Sequence, residues 1–232
     1  MSSSEQPELL INAFDGAIQV HRPPPQHRRP GRAFDFDVSF RLDHPHLITL
    51  ASAKKPPMHF HPHQEEYIQV LEGALGVEIE GDREYILTPA DGELVVHPWA
   101  NHRLYPLAKG SGNYTRFLLS GEATAEAFRI DTVFFQNWYA YQDEVVLGRR
   151  KMDLLQVMNM FDAGGSYLTF PRWVPFRSWL SQLTGIVVGR WLGGILGYQP
   201  FHRKWTGDWQ LACEKMETSI FLRRFAGREK TL

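Results

Sequence analysis

Hydrophobic and polar positions alternate along most of the chain between residues 33 and 120. At residues 34–40 every second side chain is apolar, which is the pattern of a strand with one buried face. The same reasoning predicts further short strands at residues 46–52, 66–71, 75–80, 84–87, 93–96, 102–105 and 114–120. Short strands separated by turn signals at this spacing predict an antiparallel barrel or sandwich.

After Gly121 the apolar residues recur every three or four positions instead. This period is typical of amphipathic helices. It predicts helices over residues 123–148, 149–161, 177–198 and 206–226.

Residues 1–32 contain a stretch rich in proline and arginine, and we interpret them as an extended arm. Proline cannot donate the backbone hydrogen bonds of a sheet, so this stretch favours loop or polyproline-like chain. An anion-binding role is the alternative to a solvated connector. The predicted class is α+β, with an arm (1–32), a β-barrel (33–120) and a C-terminal α-helical region (121–232).

Composition excludes several classes of protein. The formal net charge is −1, so no global field attracts nucleic acid. Cys213 is the one cysteine, which rules out an internal disulfide and favours a reducing compartment. The first residues have neither the apolar run of a signal peptide nor the character of a transit peptide. We therefore expect a cytoplasmic protein.

Histidines cluster in one short segment, and two of them are spaced for joint metal binding. His59 and His61 lie two residues apart, so on a strand both point to the same face. Glu66 follows after a short turn, at the start of the next predicted strand. Imidazole and carboxylate ligands with open positions suit Fe, Mn, Ni, Cu or Zn as a divalent cofactor.

The spacing of these residues resembles the first motif of the cupin superfamily, H-x-H-x4-E-x6-G. His59, His61, Glu66 and Gly73 occupy its positions, while Ala53 replaces the glycine that leads it. The second cupin motif keeps only its histidine, as His102. Its other four positions hold Asp91, His97, Trp99 and Pro106.

The resemblance implies a jelly-roll β-barrel in which His59, His61, Glu66 and His102 bind one metal ion. His63 and His97 are alternative ligands or acid–base groups beside it, and we assign Glu66 and His63 as candidate catalytic residues. Apolar and aromatic side chains are expected to line a substrate pocket: Tyr67, Trp99, Tyr105 and Phe117. Such a pocket suits an aromatic or polyketide-like small molecule.

Three functions fit this site. The first is a metal-dependent oxidoreductase of the oxygenase type, acting on an enolisable or aromatic small molecule; the chain looks similar to cupins that tailor fungal secondary metabolites. The second is a metal-assisted isomerase, cyclase or decarboxylase, with Glu66 or His63 moving a proton. The third is a non-catalytic small-molecule-binding module, because cupin folds host many functions.

The predicted helix over residues 177–198 carries glycines four residues apart, at positions 185, 189, 193 and 197. Each costs about 1 kcal/mol relative to alanine, so the stripe implies close packing. Arg190 in the middle disfavours a span of the membrane. Tryptophans and arginines nearby instead suit peripheral membrane contact through residues 171–200. The alternative is packing on the barrel or on a second copy, as in a homodimer.

Overall fold

The computed structural model describes residues 6–52, 55–80, 83–107 and 112–227. It divides into two compact units, residues 1–58 with 64–123 and residues 59–63 with 124–232. Ala53, which replaces the leading glycine of the first motif, lies outside the described residues.

Strands occupy most of the first unit, and helices occupy most of the second. The strands are β1 (Glu8–Ala13), β2 (Ile18–Arg22), β3 (Arg32–Arg41), β4 (His59–Phe60), β5 (Glu66–Glu72), β6 (Leu75–Ile79), β7 (Arg83–Leu87), β8 (Glu93–Val96), β9 (His102–Pro106), β10 (Tyr114–Glu122) and β11 (Tyr167–Leu168). The helices are α1 (Pro45–Ser52), α2 (Thr132–Val146), α3 (Leu154–Ala163), α4 (Arg177–Thr184), a π-helix (Gly185–Leu192), α5 (Gly193–Leu196) and α6 (Trp209–Glu217). Short 3-10 turns occur at Pro25–His27, Pro89–Asp91, Arg203–Trp205 and Arg223–Phe225.

The strands of the first unit pair antiparallel. One sheet has the order β1-β2-β3-β10-β5-β8, and in another β6 pairs with both β7 and β9. Antiparallel sheets followed by helices confirm the predicted α+β class. The described strand pairs form separate sheets, and closure into a jelly-roll barrel stays a prediction.

The core of the first unit follows from the alternation in the sequence. Phe36, Val38 and Phe40 of β3 are at most 6% exposed, and the Phe40 ring meets that of Phe117 on β10 edge-on at 5.1 Å. Aromatic and β-branched side chains on neighbouring strands interlock in this way and fix the register of a sheet.

Two expectations for the first unit are wrong. Residues 46–52 form helix α1 rather than a strand. Pro45 stands at its first position, where a proline costs no hydrogen bond, and the carbonyl of His44 accepts from the amides of Leu47 and Ile48. The buried Leu47 and the exposed Ile48 are adjacent in sequence and lie on different sides of this helix.

The extended arm expected over residues 1–32 contains a β-hairpin instead. Residues 8–22 form the hairpin β1–β2, and β2 continues the sheet by pairing with β3. Ile18 and Val20 alternate with polar residues and are at most 5% exposed, so the strand pattern was present there. The proline-rich stretch that suggested an arm begins only where β2 ends.

Each of the four segments predicted to be helical after residue 121 contains helix in the structure, although the bounds differ and a π-helix lies within residues 177–198. Asp131 and Asp153 cap α2 and α3 by accepting hydrogen bonds from backbone amides of the first turn. The segment 206–226 is divided into α6 and a 3-10 turn. The short pairing of β4 with β11 was not predicted.

The glycine stripe is explained by packing within the second unit. A Cβ atom on Gly189 would lie 2.5 Å from the carbonyl oxygen of Met158 on α3, and one on Gly185 would lie 2.5 Å from the Tyr167 ring. Arg190, on the same inward side, forms a double hydrogen bond to Asp162 at 2.6 and 2.9 Å. Among the described helices, none combines the length and the apolar character needed to cross a bilayer.

Candidate metal centre

Three histidines are positioned to bind a metal ion. His59, His61 and His102 each offer one ring nitrogen, and these three atoms lie within 4.8 Å of one another. His61 and His102 are buried, while His59 is partly exposed.

Each ring nitrogen of His102 has an oxygen atom within hydrogen-bonding distance. Its Nδ1 lies 2.9 Å from the carbonyl oxygen of Ala100, and its Nε2 lies 2.9 Å from Oε2 of Glu66 on β5. The Ala100 contact requires a proton on Nδ1, which leaves Nε2 as the metal-binding nitrogen. The Glu66 carboxylate therefore lies beside the nitrogen that would bind the metal.

His61 has an oriented ring as well. Its Nδ1 lies 3.0 Å from the hydroxyl oxygen of Ser166, and both side chains are buried. Strand pairing explains this contact, because β4 places Phe60 opposite Tyr167 of β11, and Ser166 immediately precedes that strand. With Nδ1 directed at Ser166, Nε2 is the nitrogen that remains for a metal ion.

His59 has aromatic neighbours. Its ring centroid lies 5.2 Å from that of His61 and 6.1 Å from that of Phe161. The Phe161 ring is met edge-on by Trp138 at 4.8 Å. His59 is the most exposed member of the triad, whereas Phe161 is 7% exposed and belongs to an apolar cluster of the second unit.

The donor set fits a divalent first-row metal. Three imidazole nitrogens, with one carboxylate beside them, match the ligands that Fe, Mn, Ni, Cu and Zn prefer. Two of the three imidazoles also make the outer hydrogen bond that orients metal-binding histidines in proteins.

Two further histidines of the sequence motif lie elsewhere. His63 is exposed in the bend after β4, outside the triad. His97 is exposed and lies 2.9 Å from the carboxylate of Glu65. The hydrogen bond from the Tyr67 hydroxyl, followed by that from His97, lowers the pKa of Glu65.

Of the four expected pocket residues, two face away from the ligands. Tyr67 follows Glu66 directly on β5 and so points to the opposite face, where the guanidinium of Arg32 covers its ring at 3.1 Å. Its bond to Glu65 raises the pKa of Tyr67 to about 12. Tyr105 lies three residues from His102 on β9, again on the opposite face, and its hydroxyl donates to Glu84.

The other two expected pocket residues, Trp99 and Phe117, differ in exposure. Trp99 is 40% exposed and has a positive φ of 68° in the turn before β9. Phe117 is buried and pairs with Val70, on the same face of the sheet as Glu66 but near the far end of β5.

The glycine at the last position of the first motif, Gly73, is required for a steric reason. It has a φ of 74°, and a side chain there would meet the backbone of Tyr114 and Thr115.

Sequence reasoning missed Ser166, Phe161 and Trp138. Phe161 is the last residue of the helix predicted over residues 149–161, and that pattern does not relate it to His59. Ser166 lies 105 residues from the histidine that it contacts, and no local pattern relates the two.

Antiparallel sheets and three histidines that could hold one metal ion define a candidate metal-binding protein. Its relatives are named as oxidoreductases or as an epoxidase. No family model matches the chain. An oxidoreductase of Arthrobotrys oligospora is 42% identical over 220 residues, which cover 94% of this chain and 85% of that protein. The probable oxidoreductase yanE of Aspergillus niger is 45% identical over 220 residues, covering 94% and 84%. The epoxidase atD of Aspergillus terreus is 34% identical over 226 residues, covering 94% and 69%. The chain belongs to this family of fungal proteins.

Solved structures resemble the chain only distantly. A sugar phosphate isomerase of the cupin superfamily from Silicibacter pomeroyi covers 51% of this chain and 67% of its own at 20% identity, with a TM-score of 0.34. The hydroxypropylphosphonic acid epoxidase of S. wedmorenis covers 52% and 57% at 16% identity, with a TM-score of 0.35. Scores this low carry no argument, so membership of the cupin superfamily stays a prediction from the histidine motif.

Proposed function

We propose that the chain is a metal-dependent oxidoreductase of the oxygenase type, acting on an enolisable or aromatic small molecule. The observation that carries the proposal is the triad of His59, His61 and His102, with nitrogens within 4.8 Å of one another. The names of the relatives, two oxidoreductases and an epoxidase, support the redox character of the reaction.

The residues of the chain have separable roles in this proposal. The three imidazoles hold the metal, and the contacts to Ala100 and Ser166 fix which nitrogen of His102 and His61 faces it. When bound, a divalent redox-active metal supplies Lewis-acid and electron-transfer chemistry. Glu66 is the fourth ligand or the group that accepts a proton from an acidic substrate hydroxyl.

The surroundings of His59 favour an aromatic or otherwise apolar substrate. The Phe161 ring lies next to that of His59, and Trp138 lies next to Phe161. Aromatic walls with few polar groups orient flat, weakly polar ligands well. In our proposal these two side chains take the place of Tyr67 and Tyr105 as pocket residues.

Oxygen uptake tests the proposal. The protein is loaded separately with Fe(II), Mn(II), Ni(II), Cu(II) and Zn(II) and mixed with phenols, hydroquinones and 1,3-dicarbonyl compounds, while dissolved dioxygen and product are followed together. We expect dioxygen consumption in step with substrate oxidation for at least one redox-active metal, and none for the His61→Ala variant. Substrate conversion without oxygen uptake would instead favour the isomerase, cyclase or decarboxylase alternative.

A further inference from the structure

A row of large apolar side chains faces outward along residues 177–196. Its members lie four residues apart and are between 36% and 61% exposed: Trp179, Leu183, Val187, Trp191 and Ile195. Leu192 and Leu196 widen the row. We call these seven residues the tryptophan face. Contiguous exposed apolar surface of this kind marks a site of interaction in many proteins.

The row stays in line because the helix changes its winding. α4 and α5 are α-helical, but Gly185–Leu192 between them is a π-helix. Residues four apart drift one way on an α-helix and the other way on the more loosely wound π-helix. The combination keeps a four-residue repeat on one side of the segment.

The inward side of the same segment packs against other elements of the second unit. Gly185 and Gly189 allow close approach to Tyr167 and Met158, and Arg190 is paired with Asp162. The charged residue in the middle of the segment therefore points away from the tryptophan face. The helix has two faces of different chemistry, and its core-facing side is the glycine side.

The loop before α4 extends the apolar surface. Trp173 is 82% exposed and Phe176 is 84% exposed, more than any member of the tryptophan face. Phe176 has a φ of 51°, a left-handed conformation that is uncommon for a bulky residue. Its neighbours in sequence include Arg172, which is exposed, and Arg177, which is half-buried.

The segment that carries this surface has basic but no acidic residues, although Arg190 is paired with Asp162 and Lys204 with Glu144 from outside it. Residues 163–207 contain no aspartate or glutamate, and their basic residues are Arg172, Arg177, Arg190, Arg203 and Lys204. At the other end of the segment, Arg224 donates to the carbonyl oxygens of Gly194 and Ile195. Arg223 is exposed beside it in sequence, and Ile220 is 69% exposed. Basic residues thus bracket the apolar surface at both ends.

We propose that the tryptophan face, together with Trp173 and Phe176, binds the surface of an anionic membrane, with the helix lying in the plane of the headgroups. Exposed tryptophan and phenylalanine between arginines are the residue types that partition into this interface. Arginines at both ends add attraction to anionic lipids. A symmetric second copy on this face would bring like charges together, which opposes self-association. The proposal is independent of the metal chemistry.

Vesicle flotation tests it with the full-length protein. Vesicles of phosphatidylcholine with about 30% phosphatidylserine are compared with pure phosphatidylcholine, at low and high salt. The test variant is Trp173→Ser/Phe176→Ser, and a second variant, Arg172→Gln/Arg177→Gln, removes charge. A matched control, Ile86→Ser/Met152→Ser, removes two exposed apolar side chains elsewhere. Circular dichroism and the unfolding midpoint establish that each variant is folded.

We expect the wild type and the control to float with anionic vesicles and to be released by salt. Each test variant should partition at least about tenfold less strongly, because it loses interfacial aromatic area or headgroup attraction. Failure of the wild type to bind anionic vesicles overturns the proposal, as does equal binding by wild type and both test variants. Sedimentation that shows a wild-type dimer converted to monomer by Trp173→Ser/Phe176→Ser also overturns it, because a second copy then covers this surface.

Discussion

The hydroxyl oxygen of Ser166 lies 3.0 Å from Nδ1 of His61, and both groups are buried. The contact joins one of the three candidate metal ligands to the start of β11, a strand far away in sequence. When Nε2 of His61 binds a metal, Nδ1 carries the proton and donates a hydrogen bond to the serine oxygen. Ser166 is thus placed to fix both the tautomer and the orientation of that ring.

Substitution of Ser166 by alanine is therefore expected to weaken metal binding. Loss of an outer hydrogen bond of this kind costs roughly 10–100-fold in metal affinity. Competition between the protein and a chromophoric chelator for Zn(II) or Co(II) measures the dissociation constant directly. Ser219→Ala, which removes another buried serine hydroxyl, is the control and should leave the constant unchanged. Equal affinities for wild type and Ser166→Ala would show that the contact does not support the ligand.

The pair Asp162–Arg190 is expected to stabilise the second unit. Asp162 is fully buried, receives two hydrogen bonds from Arg190, and also accepts one from the Tyr167 hydroxyl at 3.2 Å. Removing one partner of a buried ion pair strands the other charge, so Asp162→Asn should lower the free energy of unfolding by about 3–5 kcal/mol. Urea denaturation measures this change.

The matched control breaks an exposed ion pair. Arg22 and Glu8 lie 3.0 Å apart on the first unit, with side chains 33% and 60% exposed. Arg22→Met should cost no more than about 1 kcal/mol, because solvent screens such a pair. Similar losses for the two variants would contradict a structural role specific to the buried pair.

His202 is expected to make stability depend on pH. Burial, followed by the charges of Lys204 and Arg150, lowers the pKa of His202 to about 4 from its usual 6.5. The amide nitrogen of Gln199 lies 2.7 Å from Nδ1, so the neutral ring accepts a hydrogen bond there. The unfolded chain binds a proton on His202 more readily than the folded chain does. The stability that the neutral ring contributes is therefore complete above pH 6.5 and is lost as the pH falls toward 4.

Comparison of the wild type with His202→Gln isolates this contribution. Because the ring is only partly buried, the effect is modest. We expect the free energy of unfolding of the wild type to fall by about 1 kcal/mol more than that of the variant between pH 7 and pH 5. Urea unfolding at both pH values gives the difference. Parallel pH profiles for the two proteins would show that His202 is not the group responsible.

Sequence reasoning identified the three histidines that the structure brings together, but it chose two pocket residues that point away from them. Alternation on a strand correctly placed His59 and His61 together. The same rule, applied to Tyr67 beside Glu66 and to Tyr105 three residues after His102, predicts that both tyrosines point away from the ligands. The pocket expectation neglected this parity and relied on residue type instead.

Other features depend on tertiary contacts that no local pattern reports. The proximity of Ser166 and His61 depends on the pairing of two-residue strands, β4 and β11, which are too short to leave a periodic signal. Residues 46–52 contain two β-branched residues, Ile48 and Thr49, but their leucines and alanine favour a helix, and the proline at position 45 marks its start. The glycine stripe predicted close packing, and the close approach of Gly189 to α3 agrees with it.

The most direct test of the account is the metal content of the purified protein, measured by elemental analysis for the wild type, His61→Ala and the matched variant His63→Ala. Both histidines lie in the same short segment, but only His61 belongs to the triad. We predict about one divalent metal ion per chain for the wild type and for His63→Ala, and a loss of most of it from His61→Ala, because a site of this type depends on all of its protein ligands. Wild-type metal content in His61→Ala would contradict the proposed centre.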